Sequence, residues 1–418
     1  MTLKPADGVP GGLLGSEPVA EAGVWPVHLT LALCFLAALA EGYDIQSMGV
    51  AAPRMAPALG IARDQLGVVF SASTIGLFFG ALVIGRLSDR VGRKWSLIGS
   101  LAMYGLFSGA TAWVHGLYGL LAIRFLTGLG LGGAMPSLMT LAAETMQTQR
   151  RSLAVTLVAS GFPFGSALAA AIAAGLDWRS IFYIGAIAPL VLVAMMTAAL
   201  PESPAFLRAR AASSAAAPAR IGYLSVLFGS SRAVTTLLLW TGTFGALLML
   251  YLMLNWLPTL MGLKGVSKLN ASLISVLFNF GGGLGVWGVA YLMDWGRRAW
   301  VLTGWYVGLA ASLVALATVS PGLAALGAAG FFAGVFISSA PIVLYGLAPN
   351  YYAVTMRGTG VGAYVAVGRL GSIAGPLLAA ALLGGGIGAS GVLTALLPLA
   401  VLAGAANLSV LTRPTVDD

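Results

Sequence analysis

Twelve apolar stretches, separated by charged residues, prolines and glycines, constrain this chain more than any other feature of its sequence. A transmembrane helix needs about 20 apolar residues. Of the 418 residues, 59% are hydrophobic and 8% are charged, against about a quarter charged in soluble domains. An all-α polytopic membrane protein is therefore predicted. Its spans are expected at approximately 27–52, 65–86, 95–115, 117–142, 152–175, 179–200, 233–258, 270–293, 299–320, 323–347, 357–383 and 388–411.

The basic residues lie mostly on one side of the predicted membrane. With a cytoplasmic N-terminus, fifteen of the 22 lysines and arginines fall in inside-facing segments and five in outside-facing gaps. Because cytoplasmic loops carry the excess of Lys and Arg, both termini are predicted to be cytoplasmic. The expected location is a bacterial-type inner membrane. The net charge of +9 is dispersed over short gaps, which argues against a nucleic-acid partner. The outside-facing cations are Arg54, Arg63, Arg179, Lys264 and Lys268.

The spans form two halves that resemble each other. The longest hydrophilic gap follows span six, and Arg151 and Gly165-Ser166 recur about 206 residues later as Arg357 and Gly371-Ser372. Parallel six-helix repeats are typical of secondary transporters. We expect two six-helix pseudo-repeat halves around a central cavity, in a monomer without a cofactor or a metal. The predicted segments are a disordered tail 1–26, an N-terminal half 27–200, a cytoplasmic linker 201–232, a C-terminal half 233–411 and a tail 412–418.

Two carboxylates interrupt the first span, where residues 41–44 read EGYD. A carboxylate at a bilayer centre costs about 2.5–3.5 kcal/mol on insertion scales. Glu41 and Asp44 share one helix face, which must turn into the bundle. Two close carboxylates do not both stay ionised cheaply in a low-dielectric cavity, so one is expected to take up a proton. Proton coupling through Glu41, Asp44 and Arg124 is predicted, and a purely structural ion pair with Arg124 is the alternative.

Two arginines lie inside predicted spans. Arg124 and Asp44 are both expected roughly 10–12 Å below the outer surface, at ~1.5 Å per residue, which makes their pairing possible. Arg369 lies twelve residues past Arg357, so about 18 Å deep and near the midplane. A guanidinium can grip a carboxylate with two hydrogen bonds. Arg369 is the predicted site for a substrate carboxylate, with a structural tether to Glu41 or to a neighbouring helix as the alternative.

Aromatic and amide side chains in the spans can complete a pocket around such an anion. Rings stack on aromatic residues, and a substrate hydroxyl needs a hydrogen-bond partner. Packing in the bundle is the alternative for each aromatic residue. The candidates are Tyr251, Asn255, Trp256, Asn279, Phe162 and Phe164.

Several motifs resemble those of the major facilitator superfamily. GRLSDRVGRK (85–94) is similar to the signature loop of that superfamily, and RFLTGLGLGG (124–133) to its Arg-containing motif in the fourth span. The chain further resembles the aromatic acid/proton symporter family through the first-span acids, PES (201–203), YLMLNWLPTLM (251–261) and RGTGVGAYVAVGRLGSIAGP (357–376). It departs from that family in having Glu41 where the motif has aspartate. The resemblance implies proton-coupled import of an aromatic carboxylate such as a benzoate, hydroxybenzoate or phenylpropionate.

The signature loop is expected to act as a conformational latch for alternating access, with topology alone as the alternative. Asp89 can accept hydrogen bonds from helix N-terminal amides, and its basic neighbours can meet acids such as Glu144. The second copy of the loop has Trp295 after Asp294, where the first has a basic residue. The latch residues are Gly85, Asp89, Arg90, Gly92, Arg93, Glu144, Asp294 and Arg357.

Other functions are compatible with the same sequence features. A carrier of quinate, niacin or a sugar-like substrate and a proton-driven efflux antiporter share the same architecture. A transporter-like sensor or an intramembrane enzyme is a different class. The two histidines, His28 and His115, are far apart, and the sequence contains no HExxH or GxSxG motif, which argues against an enzyme.

Overall fold

The structure, a computed structural model, describes residues 27–146, 151–203, 206–207, 223–229, 232–294, 296–352 and 356–414. The predicted tail 1–26 and most of the linker 201–232 lie outside this part. Within it the chain is helical, with two short helices at Tyr223–Phe228 and Ala348–Tyr351. The twelve long helices are numbered in chain order: α1 (Val27–Ala58), α2 (Leu66–Val91), α3 (Arg93–Thr111), α4 (Leu117–Thr145), α5 (Arg151–Gly175), α6 (Trp178–Ala199), α7 (Ala233–Leu263), α8 (Lys268–Asp294), α9 (Arg298–Thr318), α10 (Leu323–Leu347), α11 (Arg357–Gly384) and α12 (Ala389–Val410).

Each predicted span corresponds to one of these helices. The largest differences are at the ends of α1, α2 and α7, which continue to Ala58, Val91 and Leu263. In α1 and α7 the helix continues past Pro53 and Pro258. Membrane helices tolerate proline because neighbouring helices and local adjustments satisfy the freed backbone groups. In the described part, 11 helices are long and apolar enough to cross a membrane. The remaining one, α3, begins with Arg93-Lys94 and carries three serines, which lowers its hydropathy.

The two halves repeat the same helix contacts. In the N-terminal half α1 packs on α5, α2 on α4, and α3 on α6. In the C-terminal half α7 packs on α11, α8 on α10, and α9 on α12. The halves meet through α1 with α7, α2 with α11, and α5 with α8. This arrangement confirms the predicted pseudo-repeat and places α1 and α7, both largely buried, at the centre of the bundle.

The repeated glycines mark equivalent close contacts in the two halves. A side chain at Gly165 of α5 would collide with the backbone of Leu39 in α1, and one at Gly371 of α11 with the backbone of Phe244 in α7. Small residues of this kind let membrane helices approach closely. The sequence echo between Gly165 and Gly371 therefore follows from packing of α5 and α11 against the central helices.

Candidate functional site

An ion pair connects the first and fourth helices at the centre of the N-terminal half. Arg124 Nη2 donates to Asp44 Oδ2 at 3.0 Å, and the side chains are 1% and 0% exposed. Arg124 Nε also donates to Ser73 Oγ at 3.0 Å, and its guanidinium lies 5.8 Å from the Phe182 ring centroid. The pairing expected from the depths of Asp44 and Arg124 is therefore present. Proton coupling through this pair stays a prediction.

Glu41 lies one helical turn before Asp44 and has different surroundings. Its side chain is 2% exposed, and its Oε2 has no hydrogen-bond partner within the described part of the chain. Its electrostatic partners are Arg369, from the other half, and Asp44. Arg369 is partly exposed, and its Nη1 donates to Tyr251 Oη at 3.1 Å. Asp44 is thus ion-paired within its own half, whereas Arg369, the cation that acts on the Glu41 charge through space, belongs to the other half.

The formal charges of this set cancel when all four groups are ionised. Glu41 and Asp44 carry two negative charges, and Arg124 and Arg369 two positive charges. Asp44 Oδ1 and Arg124 Nη1, like Glu41 Oε2, have no hydrogen-bond partner in the described chain. Adding an anion to such a buried, balanced set is costly unless another charge changes with it.

A small cavity lies between the halves beside the ion pair. It has a volume of about 20 Å³, and its lining includes Arg124, Tyr251 and Asn255. A space of that size holds about one water molecule. This cavity is therefore too small, in this conformation, for the organic anion that the sequence predicts. The remaining lining residues are Ile45, Met48, Phe70, Ser73, Thr74, Leu77 and Leu131.

The other residues predicted to line the pocket make different kinds of contact. Asn279 Nδ2 donates to Gln46 Oε1 at 3.2 Å, so this amide lies at the seam between α8 and α1. Asn255 donates to the Tyr251 carbonyl of its own helix at 2.8 Å. Trp256 is fully buried, and its Nε1 donates to the Pro376 carbonyl at 3.1 Å, which indicates a packing role.

Phe162 and Phe164 lie on α5 near the same level. Phe162 presents its backbone to Gly42 of α1, so its contact with the acid-bearing helix is a packing contact. The Phe164 ring packs 5.9 Å from the Phe280 ring of α8, across the seam between the halves. Neither residue has a polar contact to the charged set in the described structure. Both remain candidates for substrate binding through their location alone.

Sequence reasoning missed two residues at the centre. Gln46 is 1% exposed and donates to the Leu254 carbonyl of α7 at 3.1 Å, so it connects the halves. Tyr104 of α3 is fully buried and lies near Glu41 and Asp44. A buried glutamine two residues after Asp44 was a usable signal, because amides inside membrane helices need partners. Tyr104 gave no signal, since its proximity depends on how α3 packs.

An acid from a distant part of the sequence, Glu202, contacts the signature loop, and the sequence analysis did not place it there. Glu202 Oε1, from the PES stretch, accepts from the backbone N–H of Arg93 at 2.8 Å and of Lys94 at 3.0 Å. Gly92 has φ 104°, which favours glycine, and a side chain there would collide with the Glu202 carboxylate. The Glu202 carboxylate thus caps the N-terminus of α3, where the helix dipole favours negative charge.

The predicted latch acid Glu144 accepts a short hydrogen bond from Ser203 Oγ rather than contacting the basic residues of the loop in the described structure. Arg93 Nη1 donates to Ser88 Oγ at 3.0 Å, Arg90 is exposed, and Gly85 has open space around it. The side chains of Asp89, Asp294 and Arg357 lie outside the described structure. The latch therefore remains a prediction, with Glu202 as an added member.

Glu202→Ala is expected to lower the free energy of unfolding by about 1–2 kcal/mol, because two N–H groups of α3 lose their acceptor. Glu202→Gln keeps an acceptor oxygen and is expected to cost less. Thermal unfolding of the purified protein in detergent measures the difference. Equal melting temperatures for wild type and Glu202→Ala would show that the cap contributes nothing.

Two six-helix repeats enclosing buried ionisable groups define a secondary transporter. The model of the Major Facilitator Superfamily matches residues 34–304, and the chain belongs to that superfamily. A 3-(3-hydroxy-phenyl)propionate transporter of Escherichia coli (strain K12) is 42% identical, over 92% of this chain and 94% of that protein. A 4-hydroxybenzoate transporter of Pseudomonas aeruginosa is 37% identical, over 90% of each chain. The resemblance to the aromatic acid transporters of the superfamily is thereby confirmed.

Solved structures show the same fold. The inward-open xylose transporter of Escherichia coli aligns with a TM-score of 0.73 at 18% identity, covering 93% of this chain and 97% of that one. At this identity the likeness concerns the architecture of the two halves, and the chemistry of the site must come from the residues of this chain.

Proposed function

We propose that this protein imports an aromatic carboxylate together with a proton by alternating access. It is expected to act as a monomeric carrier rather than an enzyme, in a bacterial-type inner membrane with both termini in the cytoplasm. The relatives named for hydroxyphenylpropionate and hydroxybenzoate support an aromatic anion as cargo. The observation that carries the proposal is the charge-balanced set of Glu41, Asp44, Arg124 and Arg369 at the interface between the halves.

Charge balance gives a physical reason for proton coupling. A substrate carboxylate that binds Arg369 adds one negative charge to a buried set whose charges already cancel. Uptake of one proton by Glu41 restores the balance and releases Arg369 from its interaction with the Glu41 carboxylate. Glu41 is the acid assigned to this role because it lies outside the ion pair that holds Asp44 to Arg124, and its Oε2 lacks a hydrogen-bond partner in the described chain. Glu41 and substrate therefore compete for Arg369, and loading requires a proton.

The contacts between the halves support the alternating-access part of the proposal. Gln46 bonds the Leu254 carbonyl, and Ser71 Oγ donates to the Ile373 carbonyl at 2.9 Å. The rings of Phe70 and Trp256 pack edge to face at 5.3 Å. These contacts lie between the charged set and the end of the bundle formed by the α1–α2 and α7–α8 loops, which is the outer end in the predicted orientation. They form an outer gate, closed in this conformation.

Gly49→Leu is expected to hold this outer gate open and to abolish transport. A side chain at Gly49 would collide with the backbone of Leu254 and Asn255, so the halves could not close. A cysteine introduced at Ser272, which is 6% exposed, should then react faster with a polar thiol reagent from outside. Gly304→Leu is the matched control, because a side chain there has open space and lies on α9, away from the gate. Unchanged transport in Gly49→Leu would contradict the gate.

Uptake into vesicles reconstituted with the purified protein tests the proposed function. We expect an inward proton gradient to drive accumulation of 3-(3-hydroxyphenyl)propionate or 4-hydroxybenzoate, the anions named for the relatives. Quinate and nicotinate, the substrates of the alternative carriers, serve as comparison compounds. Accumulation of none of the aromatic acids above protein-free vesicles would refute the proposal.

A further inference from the structure

A second cavity, separate from the charged set, opens at the outer end of the bundle. It has a volume of about 550 Å³ and lies between the outer ends of α1 and α2 in one half and of α7 and α8 in the other. Drug-sized ligands occupy pockets of roughly 300–1,000 Å³. The cavity is therefore large enough for a hydroxylated aromatic acid, in contrast to the space of about 20 Å³ beside Arg124.

The charges around this outer vestibule have one sign. Arg54, Arg63 and Lys268 line it, and no carboxylate is among its described lining residues. The nearest acid in sequence, Asp64, lines a neighbouring cavity that shares Arg63. Between the cations lie apolar walls that suit a ring, formed by Ile61, Leu66, Pro258, Leu263 and Val266.

Three of the five outside-facing cations have structural roles that explain their position. Arg54 Nη1 donates to the carbonyls of Ala173 at 2.7 Å and Leu176 at 2.5 Å, at the end of α5. Arg179 Nε donates to the Ala112 carbonyl at 3.1 Å, at the end of α3. Lys264 Nζ donates to carbonyls at the end of α9, including Leu316 and Ala317. Cations at helix C-termini donate hydrogen bonds to carbonyls that have no partner within the helix, and their charge complements the helix dipole.

The other two outside-facing cations have no such role. The side chains of Arg63 and Lys268 are exposed and form no hydrogen bond or ion pair among the described residues. They belong to different halves, yet both line the vestibule. Positive-inside topology disfavours unneeded cations on this side. Their shared location therefore points to a ligand with negative charge.

The vestibule also lies directly above the outer gate. Val50 and Pro258 line it, and the next residue inward on α1, Gly49, contacts the α7 backbone at the gate. Asp44 lies six residues before Val50, about 9 Å further into the bundle at ~1.5 Å per residue. An anion held here is in line with the charged set once the halves separate.

We propose that the outer vestibule is a first binding site for the aromatic carboxylate, with Arg63 and Lys268 attracting its charge. This inference rests on the proposed function for the identity of the anion. Basic clefts raise the local concentration of anions and the rate at which they arrive, and this effect falls with ionic strength. The vestibule thus supplies substrate to Arg369 when the gate opens.

Thiol labelling tests the vestibule without requiring transport. The single cysteine, Cys34, is buried, so Ala62→Cys places one accessible thiol in the lining of the vestibule. We expect an anionic methanethiosulfonate to react faster than a cationic one of equal size. Arg63→Gln and Lys268→Gln should each lower this rate ratio. The double variant should lower it by about fivefold. Arg179→Gln, a cation on the same side but outside the vestibule, should leave it unchanged.

Two further readouts connect the vestibule to substrate. Saturable protection of the Ala62→Cys thiol by 4-hydroxybenzoate or 3-(3-hydroxyphenyl)propionate is expected, and protection by neither would overturn the proposal. In transporting vesicles Arg63→Gln/Lys268→Gln should raise the apparent KM several-fold and weaken its salt dependence, with kcat unchanged. Transport with wild-type KM and salt dependence in that variant would overturn the vestibule and leave the proposed function standing. Failure of wild-type uptake would instead refute the proposed function.

Discussion

Glu41→Gln is expected to abolish accumulation driven by a pH gradient while leaving substrate binding and substrate exchange in place. Glutamine resembles a permanently protonated Glu41, so Arg369 is always available to the substrate and no proton need accompany it. In the wild type, we expect the apparent affinity for substrate to fall as the pH rises, because an ionised Glu41 would compete for Arg369. In Glu41→Gln that affinity should no longer depend on pH. Binding by the purified protein and counterflow in vesicles measure the two properties.

Asp44→Asn is the informative comparison for Glu41→Gln. Asp44 is paired with Arg124 at 3.0 Å, and both are buried. Removing one partner of a buried pair costs about 3–5 kcal/mol, so Asp44→Asn should reduce the amount of folded protein, and Asp44→Asn/Arg124→Gln should recover it. Glu41→Gln should give the wild-type amount of folded protein without a second, compensating substitution. Gradient-driven accumulation at the wild-type level in Glu41→Gln would remove Glu41 from the coupling mechanism.

Arg369→Lys is expected to raise the apparent KM by about tenfold to a hundredfold with little change in the amount of folded protein. Lysine keeps the positive charge, but it loses the planar pair of N–H donors that matches a carboxylate. Charge-assisted hydrogen bonds contribute about 1.5–3 kcal/mol each, which corresponds to this range. Uptake kinetics over a range of substrate concentrations provide the measurement.

Tyr251→Phe is the control for Arg369→Lys. The Tyr251 hydroxyl accepts from Arg369 Nη1 at 3.1 Å and orients the guanidinium, so its removal should raise KM only a few-fold. An unchanged KM in Arg369→Lys would place the substrate carboxylate elsewhere. If KM rises in Arg369→Lys only as much as in Tyr251→Phe, Arg369 would serve only to orient other groups of the site.

The course of the helices could be predicted from the sequence because membrane spans depend on local composition. Span ten was predicted at 323–347 and is α10, Leu323–Leu347. The ends of α1 and α7 were placed too early, since proline signals a break that neighbouring helices here compensate. The glycine echo was also interpretable, because Gly165 and Gly371 contact the same part of the partner helix in each half.

The site was predictable only where charge or depth determined the partner. Asp44 and Arg124 were matched to each other by their depth. The role of Arg369 in substrate binding stays a prediction. Gln46 and Glu202 were not placed, because their contacts depend on which helices are neighbours and on where the 201–203 stretch returns to the bundle. Which of the two acids forms the ion pair with Arg124 is likewise a property of packing around α1, and no pattern in EGYD reveals it.

Simultaneous measurement of proton and substrate entry into reconstituted vesicles tests the central claim most directly. Because one proton balances one monovalent anion in the charged set, we predict one proton per substrate molecule and a rate that does not respond to an imposed membrane potential. Uptake without proton entry, or uptake driven by the potential in the absence of a pH gradient, would contradict the proposed coupling.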